Sequence, residues 1–230
     1  SGGGAVYHDE GNLNWSLVVP REAHDRCAEL SLVVAALAAL GVEAQADERG
    51  AIRLSGPGPS SGAKLSGSAR RMLRDRVLHH GTLLVDADLG RMESCLGGIR
   101  AERSAAPSSV SSRVANLGSA APGLGVDDAA AALALAFAGR PAEPAGRSVD
   151  VFAYKRAEDR LRSWEWTYGA TPPFSVAVGS GGARAVVEAR GGIVRSASGP
   201  GAPALEPLIG RPFDWALPAA AEELLTRCAT

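Results

Sequence analysis

Apolar and polar positions change rhythm several times along the chain, and each rhythm predicts an element. Leu30, Val33, Val34, Leu37 and Leu40 recur at helical spacing. With Pro20 tolerated in a first turn and Gly41 as a stop, they predict a helix over 21–40 whose stripe packs into a core. Ala5 to His8 and Trp15 to Val19 read as two short strands joined by the turn-rich Asp9-Glu10-Gly11-Asn12, an antiparallel pair. The segment 42–52 turns into the sheet. Lys64 to Val85 predicts a hairpin that reverses near Arg74-Asp75-Arg76, with Leu78, His80, Thr82 and Leu84 alternating onto one face. A scaffold helix starts at an Asp127 cap and ends at Gly139, with Pro141 beyond it.

The second part of the chain has a different texture. The Ala/Ser/Arg-rich stretch 97–112 reads as a linking loop, 141–147 as a connector, and 155–162 as an exposed helix leading to Trp164-Glu165-Trp166. Short apolar pieces at 174–178, 185–188 and 193–196, separated by Gly/Pro turns, predict a small sheet closed by an amphipathic helix near 218–227. Trp164, Trp166, Phe174 and Trp215 are expected in its core. The fold class is α+β: a mixed or antiparallel sheet flanked by helices over 1–155, then a small α+β domain over 160–230.

Composition narrows the function. A 46% hydrophobic share supports an ordinary globular core, and a formal net charge of -1 argues against a nucleic-acid binder. The longest apolar run, near 30–40, is too short to span a bilayer, and nothing resembles a signal peptide. Cys27, Cys95 and Cys228 are odd in number and widely spaced, which suits reduced thiols in a cytoplasm better than a disulfide framework or zinc site.

Candidate chemistry centres on Lys64, one of only two lysines among 24 basic residues. Its neighbours Gly67, Ser68 and Ala69 are small enough for an anion to approach the backbone, and an ammonium can follow a phosphate or carboxylate oxygen as charge builds. The residues alone fit a surface lysine on a polar hairpin equally well. Ahead of it, Gly56-Pro57-Gly58-Pro59-Ser60-Ser61-Gly62 is expected to be a mobile loop that orders over a reactive intermediate. His79 and His80 form a pair without an orienting partner nearby in sequence, one expected in the core and one exposed. Asp86 and Asp88 offer either magnesium ligands or a turn and helix cap. His24 and Cys27 read as surface residues.

Three stretches in this order resemble the lipoate-protein ligase A family of the biotin/lipoate ligase superfamily: Ser1 to Asp9 with Gly11 to Asn14, Lys64 to Ala69, and His79 to Leu84. Ser112 to Leu117 and Trp164 to Trp166 extend the likeness. The resemblance implies a ligase that converts lipoate and ATP to lipoyl-AMP with Mg2+, then transfers the lipoyl group to a lysine. The acceptors it implies are the apo lipoyl domains of 2-oxoacid dehydrogenase complexes and glycine cleavage H protein.

By the same resemblance, Lys64 is the catalytic cation. Gly3, Gly4, Ala5, Val6, Tyr7, Lys64 and Ser66 contact ATP or the adenylate, and Gly3, Gly4, Lys64, His80 and Gly81 contact lipoate. Metal ligands are not assigned. Asn12 and Asn14 order the first loop. Residues 1–155 would be the catalytic domain, lacking an N-terminal segment, and 160–230 the accessory domain. Because Ser1 falls inside the nucleotide motif, the chain is expected to be incomplete as an enzyme. Arg49-Gly50-Ala51 departs from the family's Arg-Asn-Asp, which bears on substrate placement or metal binding. Three other functions compete: an octanoyl or lipoyl transferase, which needs an activated cysteine; a divergent non-catalytic lipoyl-binding paralogue; and a ligase that adenylates another carboxylic acid.

Overall fold

The computed structural model describes residues 5–97, 101–106, 112–141, 143, 150–214 and 216–228. These divide into two compact units, Ser1–Gly97 with Ser109–Pro144, and Gly98–Ser108 with Ala145–Thr230. The chain thus enters the second unit at Gly98 and returns at Ser109, a crossing that a boundary at 155–160 does not contain.

The first unit is built on a five-stranded antiparallel sheet in the order β1-β5-β4-β3-β2: β1 Asn12–Pro20, β2 Ala44–Ala46, β3 Ile52–Leu54, β4 Lys64–Met72 and β5 Arg76–Leu84. The hairpin of β4 and β5 is as the alternation predicts, closed by Leu73 N–H donating to Arg76 O. Residues 5–9 form no strand, however, and β1 pairs with β5 instead. The turn's hydrogen bonds run to residues 85–88, with Val85 and Asp86 N–H donating to Gly11 O and Asp88 N–H to Asp9, and residues 5–8 have no strand partner among the described residues.

Two helices cover one face of this sheet, α1 (Arg26–Ala39) and α3 (Val126–Ala138), burying Leu30, Val33, Leu37, Ile52, Leu65, Leu83 and Leu133 in one core. The first helix starts later than the periodicity alone suggests. Pro20 leads only into a 3-10 turn, and Asp25 is the cap, its carboxylate accepting from the N–H groups of Cys27 and Ala28. In the later helix Gly125, not Asp127, is the cap, and its N–H donates to Asp128. Gly139 ends it in the left-handed conformation at φ 66°. A short helix, α2 (Leu89–Leu96), begins at Asp88, whose side chain accepts from Arg91 N–H. Of the two roles open to Asp88, the structure gives it the cap.

The second unit holds a four-stranded antiparallel sheet, β6-β7-β8-β9: β6 Ala101–Ser104, β7 Phe174–Val178, β8 Ala185–Arg190 and β9 Ile193–Ser198. It carries an edge strand inside the stretch 97–112 that composition marks as loop. Helix α4 (Val151–Arg162) runs into a π-helical turn at Glu165–Gly169. Val176, Val187, Val194, Leu205, Leu208 and Leu225 form this unit's core under α5 (Leu217–Cys228). Phe174 packs against it, whereas Trp166 is exposed and holds Arg160 over its ring at 4.7 Å. Trp215 lies outside the described residues. No described helix is long and apolar enough to cross a membrane.

Candidate functional site

Strand register sorts the sheet of the first unit into two faces with different chemistry. Opposite pairs in β1 and β5 put Leu13 with Leu83, Trp15 with Gly81, Leu17 with His79 and Val19 with Val77, and this is the face under the helices. The alternate positions turn the other way: Asn14 with Thr82, Ser16 with His80, and from β4 Gly67, Ala69 and Arg71 beside Thr82, His80 and Leu78. Those positions are half-buried or exposed, and polar groups dominate them. The expected alternation of Leu78, His80, Thr82 and Leu84 therefore holds, while the more buried set is Val77, His79, Gly81 and Leu83.

Lys64 reaches this open face. A side chain built on Gly67 would meet Lys64 Nζ at 2.9 Å, so the ammonium lies across the space that the glycine leaves. Its backbone is locked on the side away from the hairpin. Lys64 N–H donates to Arg113 O at 2.9 Å, and Ala115 N–H donates to Lys64 O at 3.1 Å. Among the described residues, Nζ makes no hydrogen bond or ion pair. Lys64, His80, Thr82, Ser16 and Arg71 thus share one polar face, and no acid among the described residues pairs with the Lys64 ammonium.

The other expected contacts divide. Gly3 and Gly4 lie outside the described residues. Ala5 and Val6 are exposed, and Tyr7 is half-buried and bonded to Asp9. Ser66 is buried, its register partner is Leu83, and its Oγ has no partner among the described residues, so its hydroxyl is not on the face that holds the ammonium. Gly81 has a packing reason to be glycine: an added Cβ would come within 2.6 Å of the Trp15 ring and 2.8 Å of Gly67 O. Only its backbone is available to a ligand on the open face.

Several motif residues act as clamps. Asp9 accepts from Gly11 N–H at 2.9 Å and Asp88 N–H at 2.8 Å; the Asp88 bond is the largest effect holding its carboxyl below the usual range. Gly11 passes so close to Asp86 that a Cβ would meet Asp86 O at 2.1 Å. Asn12 Oδ1 accepts from Asp9 N–H, as expected of a loop-ordering residue. Asn116 grips Ala87 through both its amide groups, at 3.1 and 2.8 Å. Together these tie the 5–12 segment, the end of β5 and the 112–117 segment to one another.

A buried relay invisible in the sequence underlies the sheet. Glu29, on α1, accepts from His24 Nδ1 at 2.8 Å and from His79 Nδ1 at 2.5 Å, and Arg70 approaches His24 Nε2 at 3.3 Å. His24 is therefore not a solvated surface residue, and His79 does have an orienting partner, 50 residues away in sequence. Burial, partly offset by Glu29, pulls the His79 pKa below its ordinary value. His80 is the member of the pair on the open face.

The 56–62 loop is built of turns and fastened at several points. Arg113 donates to the carbonyls of Pro59 and Ser61, and Arg53 donates to Gly62 O while also bonding Asp47 and Ser112. The departure at Gly50-Ala51 fits a tight turn around Asp47, whose carboxylate accepts from Arg49 and Ala51 N–H, with Gly50 at φ 84°. No group of three or more His, Cys, Asp or Glu among the described residues could hold a metal ion. Cys27 and Cys95 are free and exposed.

Many solved structures resemble this chain, three of them as follows. Lipoate-protein ligase A bound with ATP matches at 25% identity and a TM-score of 0.52, covering 72% of this chain and 68% of the other. A bi-partite lipoate protein ligase from Thermoplasma acidophilum, described with its E2 lipoyl domain, gives 24%, 0.53, 72% and 67%. P. falciparum LipL1 in complex with lipoate gives 18%, 0.52, 97% and 64%. The shared architecture is the biotin/lipoate ligase-like α+β fold expected from the motifs. Residues 1–138, more than half of the sequence and including every motif of the sheet, match the lipoyl protein ligase A/B catalytic domain, and the chain belongs to that family.

Proposed function

We propose that the protein is an ATP-dependent lipoate-protein ligase, working in the cytoplasm on apo lipoyl domains of 2-oxoacid dehydrogenase complexes and on glycine cleavage H protein. The observation that carries this is the ammonium of Lys64, without an acidic partner among the described residues and held over Gly67 on the open polar face of a sheet belonging to this family. Two anions have to be brought together in the first step. The lipoate carboxylate attacks the α-phosphorus of ATP, the bond to the β-phosphate oxygen breaks, and pyrophosphate leaves. A cation beside the reacting oxygens offsets their repulsion and the charge that develops in the transition state. Lys64 takes that role, with its backbone fixed by the 113–115 segment so that only the side chain moves.

In this proposal Gly3, Gly4, Ala5, Val6 and Tyr7 border the nucleotide and His80 borders the acyl chain. Gly81 and Ser66 contribute as strand backbone beneath the site. Mg2+ would arrive with the ATP phosphates, since the described residues offer no acidic cage for it. In the second step the lysine amine of the acceptor attacks the mixed anhydride, AMP leaves, and an amide forms. Orientation is then the enzyme's main contribution. Neither Cys27 nor Cys95 is bonded through its thiol to an activating base among the described residues, which favours this route over transfer through an enzyme thioester.

Lipoate-dependent pyrophosphate release from ATP tests the first step, and mass gain of an apo lipoyl domain tests the second. Lys64→Ala is expected to lower pyrophosphate release about a hundredfold or more, and Lys64→Arg to recover little, because a planar fork does not replace a compact ammonium. Near-normal turnover in either variant, or pyrophosphate release that ignores lipoate, would reject the assignment.

A further inference from the structure

The second unit carries an open cavity of about 860 Å³ that the proposed chemistry does not use. Arg103, Arg190 and Arg195 line it, together with Phe174, Ser175 and Glu188. Its middle is a row set by strand register: Arg103 on β6 opposes Ser175 on β7, which opposes Glu188 on β8, which opposes Ser196 on β9. The row therefore crosses all four strands on the face opposite the Val176, Val187 and Val194 core.

Charge in this groove is unbalanced by design of the surface around it. Glu188 is the one acid among the lining residues, and the Ser196 hydroxyl donates to it at 3.0 Å. None of the three arginines forms an ion pair or hydrogen bond among the described residues. Three other arginines of the same unit do have acidic partners, Arg184 with Glu102, Arg162 with Glu158 and Arg227 with Glu223. Three guanidiniums that line one groove with a single carboxylate, and without ion-pair partners among the described residues, give it a positive charge complementary to an anion supplied from outside.

We propose that this groove docks an acidic segment of a protein partner, and that in the ligase proposed above the partner is the acceptor protein. Guanidinium forks donate paired hydrogen bonds to carboxylates. The cavity is far larger than one small anion needs, and it is spread along a row instead of closing round a point. Glu188 in the middle of that row repels a compact phosphate group, while carboxylates spaced along an extended segment can reach the arginines on either side of it. The acceptor's identity rests on the ligase function, whereas the binding of an acidic chain does not.

Two experiments on the full chain separate these. Binding of a poly-glutamate peptide is followed by fluorescence anisotropy at low and moderate salt, with inorganic phosphate and a single-stranded oligonucleotide as parallel probes. The triple variant Arg103→Ala/Arg190→Ala/Arg195→Ala is expected to bind the peptide about tenfold more weakly and to lose most of the salt dependence. Glu188→Gln, which keeps an acceptor for Ser196, is expected to bind about twofold more tightly. In the catalytic assay the triple variant raises KM for an apo lipoyl domain about tenfold, with lipoate-dependent pyrophosphate release unchanged. Equal peptide binding by wild type and triple variant overturns the docking proposal, as does tighter binding of phosphate or oligonucleotide than of peptide. Peptide binding that obeys both variants in a chain releasing no pyrophosphate would retain the groove and reject the ligase.

Discussion

Three buried or half-buried groups show how single residues in this chain serve chemistry by serving geometry. Gly67 leaves room for the Lys64 ammonium, Gly81 leaves room for Trp15, and Gly11 leaves room for the Asp86 carbonyl. All three are legible in the sequence as motif glycines, but not which neighbour each one admits. Nor is the link between Glu29 and His79 legible, because it depends on how α1 lies over the sheet. That link has a measurable consequence. His79 is fully buried with its pKa below the ordinary value of 6.5, burial being the main cause. The unfolded chain then takes up a proton near pH 6.5 that the folded chain refuses until lower pH. Stability contributed by the neutral imidazole is complete above about pH 6.5 and declines as pH falls through the lowered folded value. Urea midpoints at pH 7.5 and 5.5 should show the decline, and His79→Asn, which keeps a donor near Glu29 without a titrating ring, should shrink it. Equal pH slopes in variant and wild type would remove His79 as the cause.

Among elements, those with strong periodicity were readable from residues alone: β1, the hairpin of β4 and β5, α1, α3 and the three later strands. Misreadings arose where tertiary contacts overrule local pattern. Residues 5–8 look extended but find no strand partner, since Asp9 and Gly11 bind the turn to the end of β5. Strand β6 is hidden by alanine, serine and arginine, because an edge strand with all its residues exposed carries no apolar alternation. In the 56–62 loop the composition does not foretell that two arginines from outside it donate to its carbonyls, and its expected mobility without ligand is a separate matter for exchange measurements. Arg113 is the more telling of these, because its backbone carbonyl also accepts from Lys64 N–H. Arg113→Ala should speed amide exchange of residues 58–62 severalfold and leave exchange in the core of β5 unchanged. Pyrophosphate release should fall as well, through looser placement of Lys64. Unaltered exchange across the loop would mean that its own turns suffice to hold it.

At the scale of the whole molecule, the two units have separate cores, one around Leu37, Ile52, Leu65 and Leu83 and one around Val187, Leu205, Leu208 and Leu225. The short apolar pieces and Gly/Pro turns that follow Trp166 make a second part readable in the sequence. The return path through 98–108 is not readable, because a four-residue edge strand contributes almost nothing to hydrophobic pattern. Separate cores imply separate responses to damage. Leu205 is completely buried in a short 3-10 helix, so Leu205→Ala leaves a cavity and is expected to cost the second unit about 2–5 kcal/mol. Leu37 is its counterpart on α1, with 1% of its surface exposed, and Leu37→Ala should cost the first unit a similar amount. Each substitution touches no residue of the other core, so each should act on its own unit. Calorimetry on the full chain is expected to resolve two transitions, with Leu205→Ala lowering one and Leu37→Ala the other. Lipoate-dependent pyrophosphate release should survive Leu205→Ala at temperatures where the second unit has begun to unfold. Transfer to the acceptor should fail there, because the arginine groove is built on the sheet that the Leu205 core supports. A single transition lowered equally by both variants would show that the units fold as one, and simultaneous loss of both activities would place adenylation under the control of the second core.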